Sequence, residues 1–314
     1  MQSMILTRTP VPPNPSLRVL FLGMTNDTSA TMLRALLEAG VDICGVLVAA
    51  DHAGGPPIAR VTPSQTRSPV PIINPFLERT LAQIAWEREL PVFELRRPGA
   101  AETLALVAEL QPDVACVACF SQRIPASLLA LPPLGFLNMH PALLPAHRGP
   151  APLFWVFREG DATAGVTIHF MDAGLDTGDI AAQASFALPD GIAGAVVARQ
   201  CDALGARLML EVLQGLRDGT LSRRIQPPGG SYQPWPTRAD WRITTSWTAR
   251  RAFNFMRGTV EWGQPYLVDV GEAQLALAIA IAYEPDKLLH EAFVCVDDQV
   301  LIQFAAGVLR AREL

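Results

Sequence analysis

Residues 17–49, LRVLFLGMTNDTSATMLRALLEAGVDICGVLVA, decide the fold class. Residues 17–23 are an almost unbroken apolar run of strand length. Asn26, Asp27, Thr28 and Ser29 then supply the short oxygen-bearing side chains that cap a helix start. Met32, Leu33, Leu36 and Leu37 follow at helical spacing, and Gly40 closes the helix. A second apolar run occupies residues 43–49. Strand, helix and strand at this spacing form a βαβ unit, which requires a parallel sheet. The turn after Gly23 lacks G-x-G-x-x-G, which argues against a dinucleotide site.

The alternation continues outward. Residues 77–90 read as a helix, 91–95 as a strand, 101–110 as a helix and 114–120 as the central strand. Residues 51–75 are rich in Gly and Pro without periodicity and are predicted to be a long loop. Strands follow at 136–140 and 166–171, and a long helix at 193–216. The Pro-Pro-Gly-Gly and Pro-Trp-Pro composition after Gln226 marks a linker. Beyond it, Leu275, Leu277, Ile279 and Ile281 alternate with alanine, a strand pattern. The expected organisation is a leader (1–16), an α/β domain with a mainly parallel Rossmann-like sheet (17–226), a linker (227–239) and a smaller β-rich domain (240–314).

The formal net charge is −5, and Lys287 is the only lysine among 314 residues. That balance gives no global reason to expect nucleic-acid binding. Five cysteines, an odd number in a long chain, argue against a disulfide framework. Cys116 and Cys119 form a C-x-x-C only nominally, because the run around them reads as a buried strand. No run approaches the length of a membrane span, and residues 1–16 lack the apolar region of a secretory signal. A cytoplasmic protein is expected.

Chemistry concentrates between residues 136 and 180. Asn138 and His140 stand two apart on one strand face before Pro141 stops the strand. The next strand runs into Asp172-Ala-Gly174-Leu-Asp176-Thr-Gly-Asp179, a Gly- and Asp-rich turn that carries a carboxylate. An amide, an imidazole and a carboxylate at two strand ends suit attack on a carbonyl. Each also has a structural reading, as strand-end cap, buried histidine or turn former. His140, His147, His169 and Asp176 are ligand types, but their spacings match no standard metal motif, and no metal is expected.

Asn138-x-His140-Pro141-x-Leu143-Leu144-Pro145-x-x-Arg148-Gly149, followed by Gly165-Val-Thr-x-His169-x-Met171-Asp172-x-Gly174-x-Asp176-Thr177-Gly178, resembles the 10-formyltetrahydrofolate-dependent formyltransferases, nearest to their methionyl-tRNA branch. The resemblance covers residues 17–226 well and the remainder weakly. It implies the formyltransferase fold with a C-terminal β-barrel-like domain. By it, Asn138, His140 and Asp176 are catalytic. Phe120, Arg123, Ile124, Pro125, Asp172 and Gly174 would border the folate. Leu143, Leu144, Pro145 and Arg148 would form a substrate loop.

The resemblance also implies 10-formyltetrahydrofolate as donor and a primary amine as acceptor. The acceptor is either initiator methionyl-tRNA or a small amine, such as an amino sugar nucleotide. Hydrolysis of the same folate is a third reading, weakened by the lack of a dedicated regulatory domain. For tRNA, phosphate contacts fall to the loop 51–75 and to Arg238, Arg242, Arg250, Arg251 and Arg257. Phe154, Trp155 and Phe157 either pack beneath their loop or wall an acceptor pocket.

Overall fold

The computed structural model describes residues 17–52, 54–63 and 79–314. The expected leader and the whole stretch 64–78, Arg67 included, lie outside the described residues.

The βαβ unit forms as its sequence requires. Strand β1 (Arg18–Gly23) leads to helix α1 (Asp27–Glu38) and strand β2 (Asp42–Ala49). Asn26 caps α1, its side chain accepting from the Ser29 amide. Next come β3 (Ile58–Val61), α2 (Leu81–Trp86), β4 (Val92–Leu95), α3 (Ala101–Leu110), β5 (Val114–Ala118), α4 (Ala126–Leu129) and β6 (Phe136–His140). Then follow α5 (Pro152–Glu159), β7 (Thr163–Phe170), β8 (Ile180–Ala187) and α6 (Gly194–Arg217).

These eight strands form one sheet in the order β3-β4-β2-β1-β5-β6-β7-β8. β2, β1, β5 and β6 pair in parallel, as do β2 and β4, while β3 runs antiparallel to β4 and β6 antiparallel to β7. The chain leaves β1 toward β2 on one side, and β5 flanks β1 on the other. Ligands of open α/β sheets bind outside the strand carboxyl ends near such a reversal. Leu20, Leu22, Leu47, Phe93, Val117, Leu128 and Phe136 pack one face of the sheet.

The C-terminal strands are β9 (Arg242–Thr244), β10 (Tyr266–Val270), β11 (Ala273–Glu284), β12 (Phe293–Val296), β13 (Gln299–Gln303) and β14 (Val308–Glu313). They form a second sheet, β12-β13-β14-β11-β10-β9, antiparallel except where β9 meets β10. Helix α7 (Ala249–Thr259) packs on β11 and β14.

The chain divides into two compact units that interleave in sequence. One holds the described part of residues 1–140 with 166–184 and 202–229. The other holds 141–165, 185–201 and 230–314. The second unit has an aromatic core. Phe154 lies edge-on to Trp241 at 5.0 Å and to Phe255 at 5.6 Å, and Trp241 meets Tyr266 at 5.5 Å. Phe154, Trp155 and Phe157 are all buried; Phe154 and Trp155 pack in this core, while Phe157 also edges a small cavity of about 110 Å³.

Three local readings change. The loop predicted at 51–75 contains β3, a four-residue edge strand hidden by Gly and Pro on its flank. Within the described residues, the helix predicted at 77–90 is only α2. Thr80 and Gln83 form a capping box at its start, and Glu89 at φ 58° turns the chain beyond its end. The central strand stops at Ala118 because Cys119, at φ 55°, takes a left-handed turn.

Candidate active site

Strand β6 carries Asn138 and His140 on one face, and antiparallel β7 sets His169 directly opposite Asn138. His169 Nδ1 lies 3.0 Å from the Phe170 carbonyl oxygen, which places a hydrogen on Nδ1. In the neutral ring Nε2 then accepts, and the Asn138 amide nitrogen donates to it at 3.1 Å. His169 therefore fixes which way the Asn138 amide points. Sequence reasoning gave His169 no role. The available signal was its place two residues before the turn that carries the carboxylate.

That turn, residues 171–179, is closed at its base by backbone hydrogen bonds. Met171 N–H donates to Phe136 O at 2.8 Å, and Phe170 N–H to Asp179 O at 2.8 Å. Asp172 Oδ1 accepts from the Gly174 amide at 3.0 Å and from Thr177 Oγ1 at 2.6 Å, so Asp172 shapes the turn from within. Asp176 sits in the left-handed region at φ 56°, which Asp tolerates better than most residues. Its carboxylate is buried between two rings, 3.7 Å from His140 Nδ1 and 3.5 Å from His169 Nε2. Both distances are longer than hydrogen bonds; with His169 Nε2 accepting from Asn138, the contact to His140 is the one that can become an ion pair. The structure thus brings Asn138, His140 and Asp176 together and adds His169 at their centre.

Beside this turn, residues 120–125 follow β5. Arg123 Nη2 donates to the Ala173 carbonyl at 3.0 Å, tying the two loops together. Gly99, Arg123, Ile124, Pro125, Ala126 and Ala173 line a mainly apolar cavity of about 420 Å³. Its size and lining suit a flat heterocycle. Phe120, Asp172 and Gly174 lie on the same two loops but do not line it. Gly99 and Ala126 do, and carry no motif that would have announced them.

Cys119 adjoins the site. Cys119 is an exposed residue, yet the atoms around Sγ desolvate the thiol and raise it above the usual range, an effect that the Asn26 amide, 2.9 Å from Sγ, opposes. A nucleophilic cysteine needs the opposite shift. Among the described residues no group of His, Cys, Asp and Glu has the arrangement of a metal site.

The family model for "Formyl transferase" matches residues 17–213, which span all of these groups. The chain belongs to the formyl transferase family. Among similar proteins is the methionyl-tRNA formyltransferase of Pelotomaculum thermopropionicum, 33% identical over 246 residues (78% of this chain, 73% of that protein). The methionyl-tRNA formyltransferase of Geobacter metallireducens is 32% identical over 300 residues (95% and 90%). Among solved structures, the N-formyltransferase of Helicobacter canadensis with folinic acid and dTDP-3-aminofucose shares 16% identity at a TM-score of 0.67 (94% and 98%). HypX of Aquifex aeolicus with tetrahydrofolic acid shares 18% at 0.58, and the chain spans 43% of its length. At these identities the structures establish the fold alone.

In this formyl transferase the expected substrate loop belongs to the second compact unit. It is laced to residues 230–233. The Arg148 amide donates to Ser231 O at 3.0 Å and the Gln233 amide to Arg148 O at 2.9 Å, a parallel bridge between Arg148 and Tyr232. The His147 amide donates to Ser231 Oγ at 2.8 Å, and His147 Nε2 lies 2.7 Å from Asp161 Oδ2. Leu144 is buried, and the Leu144–Pro145 peptide is cis. Leu143, Leu144, Pro145 and Arg148 thus form one held loop.

The arginines of the same unit meet carboxylates. Arg250 pairs with Asp190 at 2.8 Å, Arg242 with Asp269 at 2.5 Å and Arg312 with Asp298 at 3.0 Å. Arg251 lies 3.6 Å from Glu159, donates to the Arg158 carbonyl and stacks 3.9 Å over Trp247. Arg257 turns toward the Gly191 carbonyl at 3.5 Å. No described helix is long and apolar enough to cross a membrane.

Proposed function

We propose that this enzyme transfers the formyl group of 10-formyltetrahydrofolate to the primary amine of a small acceptor. The pterin occupies the cavity between residues 120–125 and the turn 171–179. The acceptor amine attacks the formyl carbon, and the carbonyl oxygen becomes anionic. The second hydrogen of the Asn138 amide, whose first is engaged by His169, donates to that oxygen. His140 as imidazolium donates beside it. Asp176 supports the charged ring and takes the amine proton directly or through water. The proton leaves finally on N10 of the departing tetrahydrofolate. No covalent enzyme intermediate is required, in keeping with the raised Cys119 thiol. The five free thiols suit a reducing compartment, so we place the reaction in the cytoplasm.

The observation that carries the choice of a small acceptor is the arginine pairing. A phosphate backbone binds by neutralising its charge with Lys and Arg. Here Arg242, Arg250, Arg251 and Arg312 already face Asp269, Asp190, Glu159 and Asp298. Residues 238–314 hold eight Lys or Arg against ten Asp or Glu, so few cations remain for phosphates. The methionyl-tRNA reading keeps one specific support, the relatives of that name that align over 95% of the chain.

Three measurements test the proposal. Calorimetry with 5-formyltetrahydrofolate, a non-reactive donor mimic, should give saturable heat; none at millimolar ligand would overturn the folate reading. Mass spectrometry should find a product 28 Da heavier from donor plus an amino sugar nucleotide or related amine, on the order of one formyl replacing one hydrogen. Filter binding of initiator methionyl-tRNA should fail even at low salt. Tight binding that weakens steeply with salt, and weakens further when Arg250 and Arg251 become alanine, would install tRNA as the acceptor.

A further inference from the structure

Gln226 sits fifty residues from the catalytic turn in sequence and is buried at 8% exposure. Its side-chain nitrogen lies 2.8 Å from the Asp176 carbonyl oxygen and 2.8 Å from the Gly178 carbonyl oxygen. A primary amide has two N–H groups, and here both are spent on one turn. The strand-like segment that carries Gln226 is itself docked. The Ile180 amide donates to Arg224 O at 2.7 Å, and the Arg224 amide returns a bond to Ile180 O at 2.9 Å. The two carbonyls bracket the residue pair that follows Asp176, which holds a left-handed backbone. Fixing both carbonyls fixes the backbone from which the Asp176 carboxylate projects.

We propose that Gln226 is a positioning residue for the Asp176 carboxylate, a clamp from outside the residues that touch the reactants. The proposal rests on the formyl-transfer reading of Asp176. The carboxylate stands 3.7 Å from Nδ1 of His140, the ring it supports. A displacement of a few tenths of an ångström therefore carries it into or out of hydrogen-bond range. Two buried donors at 2.8 Å set that displacement near zero.

The test uses the full-length enzyme and two substitutions. Gln226→Met keeps the length of the side chain and removes both donors. It should lower kcat about 100-fold, the order expected for a misplacement near 1 Å, with donor KM changed less than about twofold. Gln226→Glu keeps the shape. Its carboxylate is repelled by the two carbonyls when ionised and donates one hydrogen when protonated. Desolvation keeps such a carboxyl protonated to higher pH than usual. Its rate relative to wild type should therefore rise as pH falls from about 8 to about 6, by on the order of tenfold, while the Gln226→Met ratio stays flat. Hydrogen exchange at amides 172–179 should quicken in Gln226→Met, whether or not the reaction has been correctly identified.

A lowered melting temperature with wild-type kcat in Gln226→Met would overturn the proposal and leave Gln226 a purely structural residue. A flat pH ratio for Gln226→Glu would overturn it too, and this variant decides if Gln226→Met fails to fold. A wild-type enzyme inactive with every donor and acceptor would overturn the formyl-transfer reading instead. Exchange across 172–179 then decides on the clamp, and unchanged exchange overturns it.

Discussion

Replacing Gly178 with alanine puts the architecture of the catalytic turn to a severe test. A Cβ built at this position falls 1.8 Å from the Phe170 carbonyl oxygen and 2.9 Å from its carbon, whereas ordinary contact begins at 3.4 Å. The oxygen and the new methyl must therefore separate by about 1.6 Å; the oxygen is backbone and the methyl is fixed rigidly to backbone. Neither moves without stretching the closure of the turn, where Phe170 N–H meets Asp179 O at 2.8 Å. Overpacking of this kind costs about 1–3 kcal/mol. That predicts a fall in Tm of roughly 1.5–5 °C for a chain of this size. The shift also carries Asp176, two residues away, and a displacement near 1 Å costs roughly 100-fold in rate. Single-turnover formyl transfer and a thermal melt in the same buffer give both numbers. Wild-type Tm would refute the steric argument. A lowered Tm with full rate would refute the claim that the turn positions catalysis.

Asn138→Ala and His140→Ala should each lower kcat by about 10²–10³ while 5-formyltetrahydrofolate binding by calorimetry stays within about twofold; near-normal turnover in either sinks the assignment. His169→Phe keeps a ring in the buried site but removes the acceptor for the Asn138 amide, so kcat should fall by roughly 10–100-fold. An unchanged rate would show that Asn138 is oriented by something else. Asp202 is buried, and desolvation raises its carboxyl above the usual range although the Thr28 side chain donates to it. A raised folded pKa means that ionisation costs stability, so the penalty is absent below the unfolded carboxyl's pKa, grows through the window up to the folded value and is constant above it. Asp202→Asn should therefore melt higher than wild type at pH 7 and converge with it in acid; parallel curves at all pH values would refute this.

The alternation that builds the large sheet was legible because each element announces itself locally. Asn26 caps α1, and Met32, Leu33 and Leu36 face the core at helical spacing. Asn138 and His140 were legible for the same reason, since period-two geometry needs no knowledge of the fold. What escaped depends on pairing across distance. His169 gains its meaning only from the antiparallel register that faces it to Asn138. Gln226 looked like the last residue before a linker, and composition cannot show that its amide reaches back fifty residues. The arginines of α7 read as available cations until Asp190 and Glu159, distant in sequence, met them. Strand β3 escaped because an edge strand of four residues carries too little periodicity to stand out from its Gly- and Pro-rich neighbours.

The bridge between Arg148 and Tyr232 bears on how members of such a family exchange parts. A recombination junction placed before Gly230 would seat a foreign segment against residues 145–149, where there is little room to accept one. A Cβ at Gly230 would come within 2.2 Å of the Pro145 carbonyl oxygen, and one at Gly149 within 2.0 Å of the Gln233 carbonyl oxygen. Each glycine is thus required by the backbone of the opposite segment. A junction just after Gln233 leaves both glycines on the parental side but still divides the aromatic core that Phe154 shares with Trp241 and Phe255, so α5 has to travel with the β-rich C-terminal part.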